Sequence, residues 1–558
     1  MSPAELAVLM ARLTGVAHEM GEVLRRGAFS PNIKERADCS AALFTADGTL
    51  LVQAEHIPVH LGSMPASVAA AIDAVGVDIE PGQQVILNDP FAGGTHLNDV
   101  TLVAPVFVDL PVGSAPERLL VGWVANRAHH ADLGGAAPGS MPADAVDIHQ
   151  EGLRIPPVLL TPEVAALMVA SSRTPAERAG DLDAQVGANR VGADRLAALA
   201  RSWISPLADV GGDPAAMPST PAAMVADRLD EVVAYGERRM IAALTDLPRG
   251  RWTFEDHLDS FGPDPHQQES TVIRLTLSVE TEGITFDFTG TDPQRRGNTN
   301  AVEAVTVSAV AWALRSVLDP TLPANGGAFR PVTVVAPAGT VVAATFPAAV
   351  GAGNVEVSQR VADVCLGALA QILPARVPAA SQGTMNNVLI GGDGWVSYET
   401  IAGGQGGRPP APTDGSQEGS QWSEPRHGQS GIHTNMTNSL NSPTEALERS
   451  FPLRVLRYRL REGSGGTGWA RGGEGIERDL QVLEDATVSL ITERRVSRPW
   501  GLAGGEPGAV GENWLLPGGD EARRERLPDK CTIHLAAGDI LRMLTPGGGG
   551  WGRPSTAG

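Results

Sequence analysis

A long block of helical sequence separates two strand-rich parts of this chain, and it limits the possible folds more than any other feature. From residue 160 to 247 the sequence is rich in alanine and leucine at helical spacing, as in ADRLAALARSWI. The first 130 or so residues contain short apolar runs bounded by glycine and proline, which predict strands, and strand patterns resume at residue 251. This order predicts a mixed α/β fold of several domains, with the helical block as a layer or arm.

The N-terminal part is predicted to combine a sheet with helices. Residues 1–26 carry leucine, valine and methionine at helical spacing, and Ser2 suits the N-cap of that helix. A hairpin is expected over residues 42–53 with Asp47-Gly48 as its turn. A further helix is predicted at residues 67–75, and further strands at residues 83–90, 99–109 and 119–130.

The second half of the chain alternates strands with buried helices. Residues 270–291 alternate as a hairpin around Glu282-Gly283, and residues 301–318 and 359–373 are apolar nearly all round, as buried helices are. Residues 402–431 are too polar to fold on their own. Short glycine-punctuated strands follow from about residue 465 to the end.

Three regions are therefore expected. Residues 1–248 form a sheet-containing α/β region that bears a metal site and includes the helical arm at about 160–247. Residues 249–464 form a second α/β region, and residues 465–558 form a strand-rich C-terminal region.

Charge and cysteine content exclude several classes of partner. A formal net charge of −21 argues against nucleic acid or an anionic membrane as the main partner, because either needs a basic surface. No stretch of about 18 apolar residues supports a membrane span, and the N-terminus does not have the pattern of a signal peptide. The cysteines at 39, 365 and 531 form no CxxC motif. We therefore expect buried thiols in a cytoplasmic protein.

Histidines are concentrated in the N-terminal part. Six of the twelve fall between residues 56 and 149, namely His56, His60, His96, His129, His130 and His149. Imidazole together with carboxylate, without thiolate, suits divalent Mn, Fe, Zn or Ni. The clustering therefore favours a metal site, and Mn, Fe or Zn is the cation we expect.

Two glycine-rich motifs supply the candidate ligands. GGTHLNDV places His96 and Asp99 behind two glycines at a strand start, where a rigid scaffold can aim ligands. The alternative is a solvated turn with an exposed histidine. In ANRAHHADLGG, the neighbouring His129 and His130 point to opposite faces of a strand, so one of the two is expected to reach a given metal.

Three further residue groups are weaker candidates. His60 and Asp132 are expected to orient the ligands or act as a base. Arg36 and Asp38 are candidates for an anionic substrate or phosphate, with a structural ion pair as the alternative. Asparagines in RGNTN and GAGNVE are candidates to position an amide substrate, although turn chemistry explains them equally; they include Asn298 and Asn354.

The sequence contains no phosphate-binding loop of the G-x-x-x-x-G-K-[ST] type. With Lys34 and Lys530 as the only lysines, no lysine in such a motif can reach a nucleotide phosphate. If ATP drives the chemistry, we expect another subunit to bind it.

The chain resembles the hydantoinase B/oxoprolinase family in the order and spacing of segments from about residue 30 to 552. Those segments are SPNIKERADCSAALFTADGTLLVQAEHIPVHLGSMP, NDPFAGGTHLNDVTLVAPVF, HHADLGGAAPGSMPADAVDIHQEG, RAGDLDAQVGANRVGADRL, GTDPQRRGNTN, GAGNVEVSQR, HTNMTNSLNSPTEALE and LTPGGGGWG. The resemblance implies one half of an ATP-dependent system. A hydantoinase A-type ATPase subunit phosphorylates a cyclic amide or carbonyl oxygen, and the B-type subunit completes the reaction.

The same resemblance implies a metal site and a reaction class. Its GGTH-x-x-D and HH-x-[DE]-x-GG segments correspond to His96 and Asp99, and to His129, His130 and Asp132. The GGTHLNDV form and the chain length are closer to the hydantoinases and 5-oxoprolinases than to the acetone and acetophenone carboxylases. We therefore expect hydrolysis of a cyclic amide within a hetero-oligomer. A ketone carboxylase subunit and a non-catalytic scaffold for the ATPase remain the alternatives.

Overall fold

Six antiparallel strands form the sheet of the N-terminal part in this computed structural model. The structure describes residues 1–54, 57–76, 78–110, 117–208, 220–281, 283–410 and 424–554. The strand order is β2-β1-β5-β4-β3-β6. The strands are β1 Cys39–Thr45, β2 Leu50–Ala54, β3 Val85–Leu87, β4 Asp99–Leu110, β5 Glu117–His129 and β6 Val158–Leu159. The predicted hairpin is confirmed, with Gly48 in its turn at a φ of 84°.

Helices cover both faces of this sheet because successive strand residues point to opposite sides. Leu43 packs with the long helices, whereas its neighbour Phe44 packs against the short helix after β2. The helices are α1 Pro3–Gly27, α2 Pro31–Lys34, α3 Ser63–Val75, α4 Pro162–Ser171, α5 Pro175–Ala208 and α6 Pro221–Thr245. Ser2 caps α1 as predicted, and the predicted helical block is confirmed as a layer rather than a free arm.

The second sheet has four strands in the order β10-β9-β8-β7. They are β7 Gly250–Leu258, β8 Thr271–Val279, β9 Ile284–Asp287 and β10 Val332–Val335. The predicted helices are confirmed as α7 Glu303–Leu318 and α9 Ser358–Ala370, and α8 Gly326–Phe329 lies between them. Every residue of α9 is buried, which explains its apolar pattern. Glu282, in the predicted turn, lies outside the described residues.

Two further sheets pack together through one apolar cluster in the C-terminal part. The third sheet comprises β11 Asn387–Gly392, β12 Trp395–Thr400, β15 Ala486–Ile491 and β18 Lys530–Leu535. The fourth comprises β13 Leu453–Arg461, β14 Gly475–Val482, β16 Glu512–Leu516, β17 Glu525–Leu527 and β19 Ile540–Leu544, with α10 Thr444–Ser450 before it. Their strands begin at Asn387, well before residue 465, where we placed the strand-rich region.

The polar segment at 402–431 is held by pairing between its described ends. Gly403 bridges to Ile432, and Arg408 bridges to Arg426; residues 411–423 of the prediction lie outside the described residues. All three cysteines are buried and free. None of the helices in the described part of the chain is both long and apolar enough to cross a bilayer. The several sheets and their helices confirm the predicted mixed α/β fold class.

Candidate metal centre

The end of β5 and the start of β4 bring two predicted ligands face to face. Asp99 and His129 are register partners in the antiparallel pair of β4 and β5. Side chains of directly opposed residues point to the same face of a sheet, about 5 Å apart at Cβ. The two residues therefore approach each other as a direct result of strand pairing.

His96 joins this pair from the glycine-rich loop before β4. Its Nε2 lies 3.1 Å from Asp99 Oδ1 and 3.2 Å from His129 Nδ1. His129 Nδ1 also lies 3.2 Å from Asp99 Oδ1. One ligand atom from each of the three residues lies within 4.8 Å of the others, and all three side chains are buried. We call His96, Asp99 and His129 the metal-site triad.

Gly93 lets the loop turn sharply before His96. Its φ is 91°, in the left-handed region, and a Cβ on it would lie 2.5 Å from the carbonyl oxygen of Ala66. Asp89 caps the short turn before it by accepting a hydrogen bond from the amide of Phe91 at 3.0 Å. The double glycine therefore serves a tight turn against α3, which helps to fix the position of His96.

The other oxygen of Asp99 is held by three neighbouring side chains. Thr95 Oγ1 donates to Asp99 Oδ2 at 2.6 Å, and Asn354 Nδ2 donates at 3.0 Å. His60 Nε2 lies 3.5 Å from the same oxygen, while its Nδ1 is 2.9 Å from Ser40 Oγ. These contacts fix the carboxylate so that Oδ1 faces the two histidines of the triad.

Asn354 reaches Asp99 from a single π-helical turn, Gly353–Val357, immediately before α9. Gly353 packs so closely on the backbone oxygen of Asn300 that a Cβ would overlap it. The centre therefore combines the N-terminal sheet with a helix start more than 200 residues further along the chain.

Tyr398 completes the enclosure, and no motif in the sequence indicated it. Its ring stacks on His129 with centroids 4.7 Å apart and planes at 21°, and its hydroxyl donates to Asn387 Oδ1 at 3.0 Å. Thr95 and Ser40 were also missed. Thr95 lies inside the GGTH motif, a signal that was available, whereas no local pattern points to Tyr398 or Ser40.

Burial and mutual contacts set the charges of the centre. Burial favours a protonated Asp99, but the surrounding imidazoles hold its pKa well below its ordinary value. Burial lowers the pKa of His129 to about 3 and also lowers the pKa of His60. Burial opposes the charged form of His96, yet Asp99 raises its pKa. The centre thus offers an ionised carboxylate and at least two neutral imidazoles, the protonation states that cation binding requires.

The residues present fit a divalent cation. Metal–ligand bonds of about 2.1 Å set neighbouring ligand atoms roughly 3.0–3.4 Å apart in octahedral or tetrahedral sites, and the three separations within the triad are 3.1 to 3.2 Å. Two buried polar atoms beside the triad, His129 Nε2 and Asn354 Oδ1, have no hydrogen-bond partner. Two imidazoles with one carboxylate are the donor set that Mn, Fe or Zn accepts.

His130 lies on the other side of the sheet. Its Nε2 is 2.9 Å from Gln185 Oε1 on α5, and burial lowers its pKa to about 4. We included it among the metal ligands, but the alternation of strand residues turns it away from the triad. Of the other clustered histidines, His149 is exposed and His56 lies outside the described residues.

Asp132 is used by the turn that follows β5. It accepts hydrogen bonds from the amides of Gly134 and Gly139, at 3.1 and 3.0 Å, and pairs with Arg173 at 2.9 Å. The expected orienting or basic role therefore does not fit its position, because both of its oxygens stabilise this loop.

The predicted substrate-binding residues divide in a similar way. Arg36 is buried and donates to the carbonyl oxygen of Tyr398 at 2.8 Å and to Thr400 Oγ1 at 2.8 Å, so it ties β1 to β12. Asp38 is close enough to Asp99 for that charge to act on it, and burial raises its pKa to about 7. Asn298 donates to the carbonyl of Pro142 at 2.9 Å, leaving its buried Oδ1 without a partner.

Comparison with known proteins supplies a family for this arrangement. The model of the hydantoinase B/oxoprolinase family matches residues 2–209 and 215–554, which confirms the resemblance seen in the motifs. An uncharacterized protein of Methanocaldococcus jannaschii is 38% identical over 99% of this chain and 91% of its own length. A putative D-/L-hydantoinase B-type subunit of a Pseudomonas species is 30% identical over 99% of this chain and 90% of its own length.

Other matches differ in length or show the fold alone. 5-Oxoprolinase 1 of Arabidopsis thaliana is 35% identical over 98% of this chain, which spans only 42% of that protein. The crystal structure of ATP-dependent caprolactamase from Pseudomonas jessenii has a TM-score of 0.81 at 25% identity, covering 100% of this chain and 93% of the other. An acetone carboxylase structure has a TM-score of 0.82 at 18% identity over 99% of this chain and 76% of the other, and shows a shared fold.

Proposed function

The chain belongs to the hydantoinase B/oxoprolinase family, and on that premise we propose that it is the B-type subunit of an ATP-dependent amidohydrolase that opens a cyclic amide. Relatives and structural neighbours support an ATP-dependent cyclic-amide hydrolase or a carboxylase-type subunit. The observation that carries the finer proposal is the buried triad of His96, Asp99 and His129 beside two unpartnered polar atoms.

In this proposal the triad holds a divalent Mn, Fe or Zn ion. When bound, such a cation supplies Lewis acidity and a nucleophilic water near neutral pH. Thr95 and Asn354 fix Oδ2 of Asp99, so that Oδ1 stays available to the cation. His60 acts as a positioning residue between Ser40 and Asp99, and we no longer assign a role in the chemistry to Asp132.

The partner in this proposal is an ATPase subunit of the hydantoinase A type, which phosphorylates the substrate. The close match in length to the hydantoinase B-type relative and to the caprolactamase chain supports a separate subunit. The 5-oxoprolinase of Arabidopsis is more than twice as long as its matched part, which leaves room for a second function in that chain. We propose a hetero-oligomer on these grounds.

The amide substrate is proposed to meet polar groups beside the triad. Asn354 Oδ1 and Asn298 Oδ1 are buried acceptors without partners, and an amide N–H is the kind of donor that satisfies them. Leaving such a buried acceptor without a hydrogen bond costs about 1–3 kcal/mol, so a ligand that supplies the bond gains correspondingly.

Metal analysis of the purified chain, with His96→Ala and Asp99→Ala beside it, tests the proposed centre. We expect about one divalent ion per chain and its loss in both variants. The assembled complex with its ATPase should then open hydantoin, 5-oxoproline or caprolactam with ATP, and both variants should lose this activity.

Other results would contradict the proposal in distinguishable ways. Consumption of bicarbonate with a ketone and ATP would identify a carboxylase instead. Full turnover by the His96 and Asp99 variants would identify a scaffold for the ATPase. Unchanged metal content in both variants would remove the proposed centre.

A further inference from the structure

A cavity of about 820 Å³ lies outside the metal-site triad and is lined by four arginines. Arg315 comes from α7 and Arg376 from the segment after α9, while Arg408 and Arg426 face each other across the pairing of the polar segment. A volume of this size is typical of small-molecule sites, which span about 300–1,000 Å³. We call these four residues and their space the arginine cavity.

The charge of this cavity is opposite to that of the chain. The chain has 64 acidic residues against 43 basic ones, yet no aspartate or glutamate occurs among the described residues that line the cavity. Within the described part of the chain, neither Arg408 nor Arg426 forms an ion pair. Like charges brought together in this way repel, and a bound anion removes that cost.

The two facing arginines act on each other. The amide of Arg408 donates to the carbonyl of Arg426 at 3.0 Å, which fixes their backbones side by side. Burial, and then the charge of Arg426, lowers the pKa of Arg408. The buried Nε of Arg408 has no hydrogen-bond partner. A guanidinium donor without an acceptor is the group that an oxyanion satisfies.

The cavity also presents a buried hydroxyl. Thr434 lines it with a side chain that is only 6% exposed, and the hydroxyl has no partner. Its backbone oxygen accepts a hydrogen bond from Gln359 Nε2 at 3.0 Å, which anchors the segment to the start of α9. An anion with several acceptor oxygens can therefore use both guanidinium and hydroxyl donors at one place.

A short turn connects this cavity to the candidate metal centre. Pro58 lines the cavity and begins the 3₁₀ turn Pro58–His60. His60, at the other end of that turn, lies 3.5 Å from Asp99 Oδ2. A molecule held in the cavity is therefore separated from the centre by one turn of backbone.

We propose that the arginine cavity binds the phosphate group of a small molecule. Phosphate matches the planar donor geometry of arginine and carries enough oxygens for several donors. If the proposed function holds, the ligand is the phosphoryl group of the activated substrate delivered by the ATPase subunit. An acidic side chain of a partner protein is the competing occupant, but the concave space and the buried Thr434 hydroxyl favour a small molecule.

Calorimetric titration of the full-length chain, stripped of metal with a chelator, tests this proposal without any turnover. The probes are inorganic phosphate, methyl phosphate, acetate and an oligoglutamate peptide. We expect saturable binding of one phosphate or methyl phosphate per chain. Arg408→Gln and Arg426→Gln should each weaken it about tenfold or more, because each removes a charge-assisted donor.

Arg454→Gln is the matched control. Arg454 is exposed on β13, outside the residues that line the cavity, so this variant should bind phosphate like the wild-type chain. Circular dichroism checks that each variant is folded. Arg426 is itself exposed, so its substitution leaves the test intact even if Arg408→Gln unfolds.

Four results would overturn the proposal: no saturable phosphate binding up to about 10 mM, equal binding by all variants, acetate binding as well as phosphate, or binding of the peptide alone. The last result would identify the cavity as a protein contact. Phosphate binding that persists when no cyclic amide is opened would refute the proposed function and leave this site standing.

Discussion

The ring of Tyr398 on β12 stacks on the ring of His129 on β5, with 4.7 Å between centroids and 21° between planes. The two strands belong to different sheets, one in the N-terminal part of the chain and one in the C-terminal part. The candidate metal centre therefore lies where these parts meet. Its geometry depends on packing across the regional boundaries that we placed near residues 248 and 464.

This stacking predicts different effects for two substitutions of Tyr398. Tyr398→Phe keeps the ring against His129 and loses only the hydrogen bond to Asn387, so metal affinity should stay close to wild type. Tyr398→Ala removes the ring that orients His129 and should weaken metal binding about 10- to 100-fold, as the loss of outer contacts to metal ligands does. Competition with a fluorescent chelator measures both. Equal affinity in the two variants would contradict the orienting role.

The neighbouring histidines of β5 provide a matched pair for metal binding. His129→Gln should abolish stoichiometric metal, because it removes a member of the triad. His130→Gln should retain metal but destabilise the chain by about 1–3 kcal/mol, since it disrupts a buried hydrogen bond with Gln185. Elemental analysis and urea denaturation separate the two effects. Metal loss in His130→Gln would count against the assignment of faces.

The two lysines of the chain should differ sharply in their effect on stability. Lys530 is fully buried, 2.6 Å from Glu493 Oε1 and 2.9 Å from Asp529 Oδ2, whereas Lys34 is exposed. Lys530→Met leaves two buried carboxylates without their cation and should cost about 3–5 kcal/mol. Lys34→Met should change the free energy of unfolding by less than about 0.5 kcal/mol. A common urea midpoint for both variants would refute this account.

Glu151 should make stability depend on pH. Burial raises its pKa to about 8, against hydrogen bonds from the amides of Gly351 and Val350, with His96 and Asp147 as its charged neighbours. The folded chain therefore holds a proton that the unfolded chain releases above its ordinary pKa. This contribution is complete below about pH 4.5 and is lost as pH rises to about 8, by at most about 1.4 kcal/mol per pH unit.

Glu151→Gln cannot titrate, so its stability should fall less steeply than that of the wild-type chain between about pH 5 and pH 8. Urea denaturation at several pH values gives the two slopes. Other buried carboxyls with raised pKa values, such as Glu356, act in the same direction and remain in both proteins. Parallel slopes for variant and wild type would therefore show that Glu151 is not the source.

Gly93 and Gly15 should respond in opposite directions to alanine. Gly93→Ala forces a side chain into a φ of 91° and against Ala66, so it should cost about 1–3 kcal/mol and also weaken metal binding through His96. Gly15 lies inside α1 with open space around its Cα, so Gly15→Ala should stabilise the helix by about 0.5–1 kcal/mol. Thermal unfolding with metal titration measures both. Tolerance of alanine at position 93 would show that this turn does not fix the ligand loop.

The sequence by itself determined the elements and most of the triad. Apolar periodicity was sufficient for α1, α7 and α9, because a helix or strand that buries one face must repeat its pattern locally. The GGTH-x-x-D motif identified His96 and Asp99 since loop and strand start lie within a few residues of each other. The adjacent His129 and His130 pointed to opposite faces on geometry alone, but their order along the strand did not say which face was which.

Only the tertiary structure decided that question and supplied the remaining neighbours. Packing of α5 on one face of the sheet assigned His130 to Gln185 and left His129 to Asp99. Tyr398 and Asn354 reached the centre through contacts between segments more than 200 residues apart. Such contacts leave no periodic trace in either segment, because each residue satisfies its local structure equally well wherever its side chain later packs.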